Sequence, residues 1–454
     1  MRRLELHQMT ELWAPLARSR RRRCGRAVAV LALGLGILLA GAEQAHAATI
    51  TVSTPAGFQA AVRRLAGSGG TIVLRPGIYE QLSVGWRSSR PLVISGSGAT
   101  VRHLTLDHTQ AVTLRGLTIA ATASVPADAS ITYSQHVTVT GMRVIGTTIQ
   151  GAILTVDHSH AVTITASQFT ACGDYQGSNL LDGRFGLCLG LRYVQYVTVS
   201  HSWFHDCRGC DFLHTWDAQH VLITMNTFKR ALVGPCGLHP DHCNHNDLLQ
   251  LAYGTDLRIV SNTFGVTQGG AAQLYITNRV DGVLISNNVF QATDPLVPGL
   301  VEPDAIKLGN EVGWNGDQPL YAVVRENTIL AGGPGRLDGV QNSIILSTPM
   351  RNLPEEQRPL IVNNVIGVTR TPSRLCGLGT LRNNVLISGV RCSANDVLGN
   401  PRVDQYGHPT VGSILLINRA LVQWATIYDR VGVRRDAKPD IGAFEFVHGS
   451  PPRL

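Results

Sequence analysis

Apolar and polar residues alternate in a short phrase that recurs along much of the chain. Its clearest copies are VTITASQF from Val162, VTVSHSWF from Val197, VLITMNTF from Val221, LRIVSNTF from Leu257 and VLISNNVF from Val283. Weaker copies begin at Val112, Val137, Val323 and Leu360, and successive copies start 24 to 40 residues apart. The alternation indicates strands, and a drifting repeat of this length predicts a solenoid whose turns carry loops of different length.

Each turn is expected to hold two strands, the phrase itself and a second strand upstream of it. The upstream strands read DFLHT (211–215), DLLQL (247–251), AQLYI (272–276) and DAIKL (304–308). Within the phrase, asparagine keeps one register, at Asn226, Asn262, Asn288, Asn327, Asn364 and Asn384. This predicts an internal ladder in which each amide bonds the turns above and below it. Phenylalanine follows two residues later in the clearest copies and is predicted to stack in the core.

The phrase, the asparagine register and the opening GGTIVLRPGIYEQ (69–81) resemble the right-handed parallel β-helix superfamily of pectate lyases, alginate lyases, chondroitinases and their relatives. DIGAFEF (440–446) is similar to a closing segment in that group. The resemblance implies an all-β fold, a single-stranded right-handed parallel β-helix, with an amphipathic cap near residues 56–66. It is specific for fold and not for activity, because the superfamily hosts lyases, hydrolases, epimerases, adhesins and tailspikes.

Residues 1–47 have the pattern of a signal peptide: an arginine-rich start, an apolar run at 27–40 and small residues at Ala45 and Ala47. The apolar run is short for a membrane span, so a retained anchor is the less favoured alternative. The predicted organisation is a signal peptide at 1–47, the β-helix at 48–446 and a disordered tail at 447–454. We therefore expect a secreted protein with no membrane association once the signal is removed.

Charge and cysteine content narrow the class of partner. The formal net charge is +8, and residues 1–47 hold eight Arg and three Glu, which leaves +3 for the remainder. So small a charge, without a basic stripe, argues against nucleic acid as a partner. We also expect the protein to be a monomer.

Eight of the nine cysteines follow the signal segment, and an even number in a secreted chain favours disulfides. Stacking predicts Cys172–Cys207 and Cys188–Cys210, with local pairs Cys236–Cys243 and Cys376–Cys392; other pairings stay open.

The upstream strands align candidate chemistry in one register. Their leucines and isoleucines take the inward parity, so period two turns four side chains outward as one strip: His214, Gln250, Tyr275 and Lys307. Asp211, Asp247 and Asp304 head the same strands. Acid, base and amide groups one coil apart suit a long carbohydrate lying along the solenoid. In the alternative interpretation, the aspartates only bond turn N–H groups and the strip is ordinary outward polarity.

A second dense signal is CGLHPDHCNHNDLLQ (236–250), with three histidines and two aspartates before the central strand. HNDLLQ (245–250) resembles the H-x-D-x-x-Q phrase of β-helix proteins related to alginate-modifying enzymes. Three interpretations stay open: a disulfide-closed loop with solvated histidines, a zinc site, or an acid–base or substrate role for His245 and Asp247.

The first functional hypothesis is an enzyme that acts on acidic, uronate-containing polysaccharide by β-elimination or C5 epimerisation. Its catalytic candidates are Lys307, His245, Asp247, His214 and Tyr275, and its substrate-binding candidates are Gln250, Asp211 and Arg279. In lyases of the resembled superfamily, lysine or arginine commonly serves as base, and acidic side chains hold calcium. The resemblance therefore implies a possible Ca²⁺ site at Asp247, Glu302 and Asp304. The alternatives are a glycoside hydrolase with paired Asp211 and Asp247, and a non-catalytic glycan-binding or surface protein.

Overall fold

The structure is a computed structural model that describes residues 48–120, 127–146, 151–172, 186–208, 210–232, 247–267, 272–292, 304–309, 318–330 and 342–447. The predicted signal peptide and residues 448–454 of the predicted tail lie outside these ranges, as do Cys236, Cys243, His245 and Glu302. Among the described helices, none is long and apolar enough to cross a membrane.

The coils contribute strands to three parallel sheets, which we name A, B and C in their order along the coil at residues 186–208. The expectation of two strands per turn was wrong, because the alternating phrase spans sheets B and C. The residue before each ladder position causes the break: φ is 56° at Met225, 59° at Ser261 and 56° at Asn287. This left-handed conformation turns the chain sharply, so sheet B ends and sheet C begins there.

The strand bounds follow this division. Sheet A contains Asp128–Thr132, Gly151–Asp157, Gly186–Arg192, Asp304–Leu308 and Ile344–Leu346. Sheet B contains Thr49–Val52, Gly70–Leu74, Leu92–Ser95, Val112–Arg115, Gln135–Thr140, His160–Thr165, Gln195–Ser200, Val323–Arg325, Leu360–Val362 and Thr380–Arg382. Sheet C contains Thr118–Ala120, Arg143–Ile145, Gln168–Thr170, Trp203–Arg208, Thr227–Leu232, Thr263–Phe264, Val289–Phe290, Thr328–Ile329, Val365–Thr369, Val385–Gly389 and Val397–Leu398.

Five longer strands belong to two sheets each. Gly77–Val84 and Ala99–Asp107 run from sheet C into sheet A. Cys210–Thr224, Leu249–Val260 and Ala272–Ser286 run from sheet A into sheet B. The corner between sheets A and B is therefore a bend within continuous strands in the central coils, which fixes the position of the side chains on it.

An α-helix, Pro55–Leu65, covers the first coil, as the amphipathic pattern predicted. Thr54 caps it, because its Oγ1 accepts a hydrogen bond of 3.1 Å from the Gly57 N–H, and proline occupies the first turn. Phe58, Ala61 and Leu65 form its buried face, which shields the edge of the first rung. Short 3₁₀ helices lie at Thr348–Asn352, Glu355–Gln357, Pro372–Arg374 and Val422–Trp424.

The predicted phenylalanine stack is confirmed. Phe169, Phe204, Phe228, Phe264 and Phe290 are fully buried, and successive ring centroids lie 4.4, 4.8, 5.3 and 4.7 Å apart. Their planes are within 17° of parallel. This spacing equals the separation of neighbouring strands, about 4.8 Å, so the stack follows directly from the repeat.

The asparagine ladder is also confirmed. Each Oδ1 accepts from the backbone N–H and the Nδ2 of the preceding asparagine, as Asn262 does from Asn226 at 2.9 and 3.1 Å. The ladder ends on Asp396, whose Oδ1 accepts both bonds from Asn384. Burial raises the pKa of Asp396 despite the bonds donated to it. Towards the N-terminus the same position passes to Ser202 and Ser167, whose hydroxyls continue the series.

The disulfides differ from the expected stacked pairs. Cys172 is bonded to Cys188 and Cys207 to Cys210, so the predicted Cys172–Cys207 and Cys188–Cys210 pairs were wrong. Strands Gln168–Thr170 and Trp203–Arg208 do pair in register, which places Cys172 and Cys207 on successive coils. However, each cysteine instead joins the sheet A strand that follows it along the chain. Cys376–Cys392 is confirmed, and Cys236–Cys243 lies outside the described residues.

Residues 400–447 fold back along the B–C corner in the direction opposite to the coils. The corner residues Asn383, Asn363 and Asn287 donate from Nδ2 to the carbonyls of residues 419, 421 and 428 in turn. Arg430 then reaches the Asn262 carbonyl. The C-terminal segment thus covers the turn beside the asparagine ladder, and its carbonyls accept hydrogen bonds from the corner asparagines.

Candidate functional site

The four side chains of the predicted strip lie in one register on sheet A. His214 pairs with Gln250, Gln250 with Tyr275, and Tyr275 with Lys307. All four are partly exposed, whereas their neighbours Leu213, Leu249, Leu274 and Ile306 are fully buried. The alternation places the strip outward over four successive coils, as the sequence predicted. A linear polymer lying along the axis would therefore pass every one of these groups.

Lys307 lies against Tyr275 at one end of the strip. The Lys307 Nζ lies 4.8 Å from the centroid of the Tyr275 ring, a cation–π distance. Successive coils hold them in this relation, since Tyr275 and Lys307 are register partners on strands Ala272–Ser286 and Asp304–Leu308. An amine and a phenol ring are thereby presented side by side on one outward face.

The aspartates at the heads of these strands point into the fold. Asp211 and Asp247 are each 2 % exposed. The Asp211 Oδ1 accepts 2.8 Å from the Asp247 N–H, and the Asp247 Oδ1 accepts 2.8 Å from the Ala272 N–H. They therefore bond the backbone of the next coil, as the capping interpretation held. The geometry lends no support to Asp211 as a substrate-binding residue or to Asp247 as a catalytic one.

The residues suggested for calcium do not fit a Ca²⁺ site. Ala272 separates Asp247 from Asp304 in the ladder, so the two lie two coils apart, about 10 Å at the usual strand spacing. Asp304 is also buried, at 3 % exposure. Calcium needs six or more oxygens at about 2.3–2.6 Å. No group of three or more His, Cys, Asp or Glu side chains within the described ranges is placed to hold a metal.

Arg279 lies at the corner between sheets A and B, not on the strip. Its side chain is 59 % exposed and pairs with Asp281, with both contacts at 3.4 Å. The corner adjoins the strip, because the His214 ring lies 6.5 Å from the ring of Trp216. Arg279, Trp216 and Tyr253 line a shallow cavity of about 470 Å³ there. Arg279 could thus meet a polymer whose chain lies across the corner.

The sequence analysis missed the ring-bearing residues on this corner. Tyr133, Tyr193 and Trp216 are 56 %, 42 % and 40 % exposed. The signal was present: a ring residue, a spacer and glutamine precede the alternating phrase in YSQHV (133–137) and YVQYV (193–197). It was overlooked because the phrase itself begins at the following valine.

Charged clusters elsewhere are locally compensated. On sheet C the Arg230 side chain donates to Asp206 and, together with His205, holds the pKa of that carboxyl below its usual range. At the A–B corner, burial alone would raise the pKa of Asp256, but hydrogen bonds from Arg258 and His220 lower it. Both carboxylates stay ionised and paired, which suits structural ion pairs better than proton transfer.

Comparison with known proteins agrees on the fold. The structure is similar to that of the Streptococcus pneumoniae surface protein and adhesin PfbA, with TM-score 0.54, 15 % identity, and coverage of 78 % of this chain and 97 % of PfbA. It also matches pectate lyase Pel9A (TM-score 0.42, 14 % identity, 88 % and 96 % coverage) and the PL6 polysaccharide lyase Pedsa3628 of Pseudopedobacter saltans (0.42, 13 %, 83 % and 100 %).

The fold is the right-handed parallel β-helix. In sequence, the chain matches no protein-family model and no curated protein. At these identities the structural likenesses establish architecture alone, so function has to be argued from the side chains of this chain.

Proposed function

We propose that this protein is secreted, binds uronate-containing polysaccharide along the sheet A strip and acts on it as a lyase or C5-epimerase. The observation that carries the proposal is the Lys307–Tyr275 pair, an amine 4.8 Å from the centroid of a phenol ring on an outward face. His214 and Gln250 continue the same register and provide hydrogen-bonding groups for neighbouring sugars. The disulfides support a location outside the reducing cytosol.

Both reactions begin with removal of the proton at C5, next to the uronate carboxylate. In the proposed step Lys307 first gives its proton to solvent, and its free amine then takes the C5 proton. In elimination the C5 electrons form the C4–C5 double bond, the C4–O4 bond breaks, and the Tyr275 hydroxyl gives its proton to the leaving O4. In epimerisation the Tyr275 hydroxyl instead gives its proton to C5 from the opposite face of the sugar, the C4–O4 bond stays intact, and the tyrosinate regains a proton from solvent. His214 is the alternative proton donor, and Arg279, which pairs with Asp281 on the A–B corner, takes no part in the step.

The two carboxyl groups that the competing hydrolase hypothesis needs do not face the substrate surface. The hypothesis required Asp211 and Asp247 to flank a glycosidic bond, yet both carboxyl groups are buried and bond backbone N–H groups of the next coil. A glycosidase pair must face the substrate with its carboxyl groups about 5–10 Å apart. A non-catalytic glycan binder remains the second candidate, and the exposed rings beside the strip favour it, because aromatic side chains bind sugars without any chemistry.

The decisive substitution is Lys307→Arg, which keeps the positive charge and much of the length but removes the base. The purified protein is incubated with polygalacturonate, alginate and chondroitin. Elimination is followed by the ultraviolet absorbance of unsaturated uronates, and epimerisation by NMR of the recovered polymer. We expect at least about a 100-fold loss of turnover with retained polymer binding. Lys438→Arg, at an exposed site far along the chain, is the matched control.

Unchanged turnover in Lys307→Arg would contradict the assigned base. Polymer binding without turnover in the unsubstituted protein would favour the binder instead.

A further inference from the structure

The corner between sheets A and B carries a repeated pattern on six successive coils. The copies are HTQAV (108–112), YSQHV (133–137), HSHAV (158–162), YVQYV (193–197), DAQHV (217–221) and YGTDL (253–257). The first and fourth residues of every copy are left-handed, with φ between 45° and 56°. Glycine would adopt this conformation freely, yet none of these twelve positions is glycine and eight of them are histidine or tyrosine. The histidine and tyrosine side chains therefore occupy these positions although the left-handed backbone conformation is unfavourable for them.

The ring side chains form two rails along the axis. In the first rail, His108, Tyr133, His158 and Tyr193 follow one another with ring centroids 5.0, 5.1 and 4.8 Å apart. The second rail contains the fourth-position rings of His136, Tyr196 and His220. The ring of the floor residue His160 lies between the first two, and successive centroids are 6.2, 5.1 and 4.7 Å apart. We call the surface formed by these two rails and the side chains between them the corner groove. Its walls are rings that remain in part open to solvent, with Tyr196 at 43 % exposure.

The floor of the corner groove is a ladder of hydrogen-bonding side chains. The third residues of the six copies pair in register, in the order Gln110, Gln135, His160, Gln195, Gln219 and Thr255, and Asp281 on the next coil continues the ladder. Gln135, His160 and Gln195 are exposed. An amide offers both a donor and an acceptor, which matches the paired donor and acceptor character of a sugar hydroxyl.

Two cavities open on this one corner, several coils apart. One, of about 330 Å³, is lined by Arg87, His108, Gln110, Tyr133 and Gln135. The other, of about 470 Å³, lies where Trp216 and Tyr253 cross at 64° with their centroids 5.0 Å apart. In an edge-to-face pair, one ring covers only part of the other, so aromatic surface is left for a ligand at this point.

Charges on the corner are paired locally. Asp107 bonds His108 at 2.9 Å and Asp157 bonds His158 at 2.9 Å. Asp256 is held by Arg258 and His220, and Asp281 by Arg279. A strongly anionic or cationic polymer would gain less from such a surface, because Asp256 and Asp281 already face arginines and Asp107 and Asp157 already bond histidines. Rings, amides and compensated charges favour a ligand rich in hydroxyl groups and without charge.

We propose that the corner groove binds an uncharged polysaccharide extended along the β-helix axis, separately from the acidic polymer assigned to sheet A. Each coil advances about 4.8 Å, so the rings and hydrogen-bonding side chains of successive coils recur at roughly the length of a single sugar. The protein would then hold a neutral matrix polymer on one corner while the adjoining sheet faces a uronate polymer. This inference does not depend on the chemistry of Lys307.

Affinity gel electrophoresis tests the proposal. The purified protein is run through native gels that contain hydroxyethyl cellulose, galactomannan, arabinoxylan or polygalacturonate. We expect at least one of the three neutral polymers to retard it, and the retardation to be insensitive to salt. Trp216→Ala with Tyr253→Ala should weaken that retention about tenfold, the equivalent of about 1.4 kcal/mol for two rings. Tyr406→Ala, at a 42 % exposed tyrosine off the corner, is the control and should retain binding.

A second variant guards against a folding defect. Gln135→Ala with Gln195→Ala changes only exposed side chains of the floor and should also weaken retention, with an unchanged circular dichroism spectrum. Lys307→Arg should leave neutral-polymer binding intact, which separates this proposal from the sheet A chemistry. Failure of all three neutral polymers to retard the protein would overturn the proposal. Retardation that the corner variants leave unchanged, or that they weaken only for polygalacturonate, would overturn it equally.

Discussion

Removal of one ladder amide is the most direct test of the packing described above. The Asn262 side chain is fully buried and bonds three coils. Its Oδ1 accepts from the Asn226 N–H at 2.9 Å, and its Nδ2 donates to the Ile223 carbonyl at 2.8 Å and to the Asn288 Oδ1 at 3.1 Å. Asn262→Ala therefore leaves the Asn226 N–H without an acceptor in the core, where water cannot replace it.

The expected cost can be worked from these contacts. A stranded buried N–H costs roughly 1–3 kcal/mol, whereas the carbonyls that lose a donor have a second lone pair and cost less. The lost side-chain volume adds about 1 kcal/mol as a small cavity. We expect the free energy of unfolding to fall by about 2–4 kcal/mol in total, measured by urea denaturation at 25 °C. Asn395→Ala, at an exposed asparagine, should change it by less than about 0.5 kcal/mol.

A serine variant separates the hydrogen bond from the cavity. Serine already occupies the ladder at position 202, where its hydroxyl accepts from the Ser167 N–H at 3.2 Å. Asn262→Ser should therefore recover part of the loss seen with alanine although it fills little more volume. If serine and alanine destabilise the protein equally, or if neither does, the reasoning that the ladder stabilises the fold by satisfying buried N–H groups is refuted.

Phe228→Ala removes a fully buried ring stacked 4.8 Å from Phe204 and 5.3 Å from Phe264. It should lower the free energy of unfolding by about 3–5 kcal/mol in the same urea assay. A loss below about 1 kcal/mol would show that the stack contributes little. Burial raises the pKa of Asp440 from 3.8 to about 6. Because the folded state holds this proton more tightly, its stabilising contribution is complete below pH 3.8 and is lost as the pH rises to 6, by about 3 kcal/mol. Asp440→Asn should flatten that part of the stability–pH profile, and an unchanged slope would assign it to other groups.

Some predictions from the sequence were confirmed because they depend only on the repeat. Once equivalent coils lie over one another, a residue type kept at one register must form a column, whatever the loops between the coils do. The asparagine ladder, the phenylalanine stack and the order His214, Gln250, Tyr275, Lys307 all follow in this way.

Other predictions failed where direction within a coil mattered. Aligned positions placed Cys172 and Cys207 on neighbouring coils, but disulfide choice depends on which sulfur each side chain meets, and Cys172 meets Cys188 instead. The aspartates at strand heads were correctly aligned, yet their side chains turn inward to the backbone of the next coil. A periodic sequence shows well which coil a residue lies on, but it shows poorly which way a side chain points at a corner.

The sequence by itself determined the solenoid, its core columns and the strip on sheet A, since alternation and repeat length are local properties of the chain. Tertiary structure decided the rest. Only folding brings residues 419–430 back over the corner from Asn383 to Asn262, because that contact joins segments with no shared pattern. Likewise, the left-handed bend at each A–B corner turns scattered histidines, tyrosines and glutamines into continuous rails and a floor. Those residues are far apart along the chain and become neighbours only through the rise of one coil upon the next.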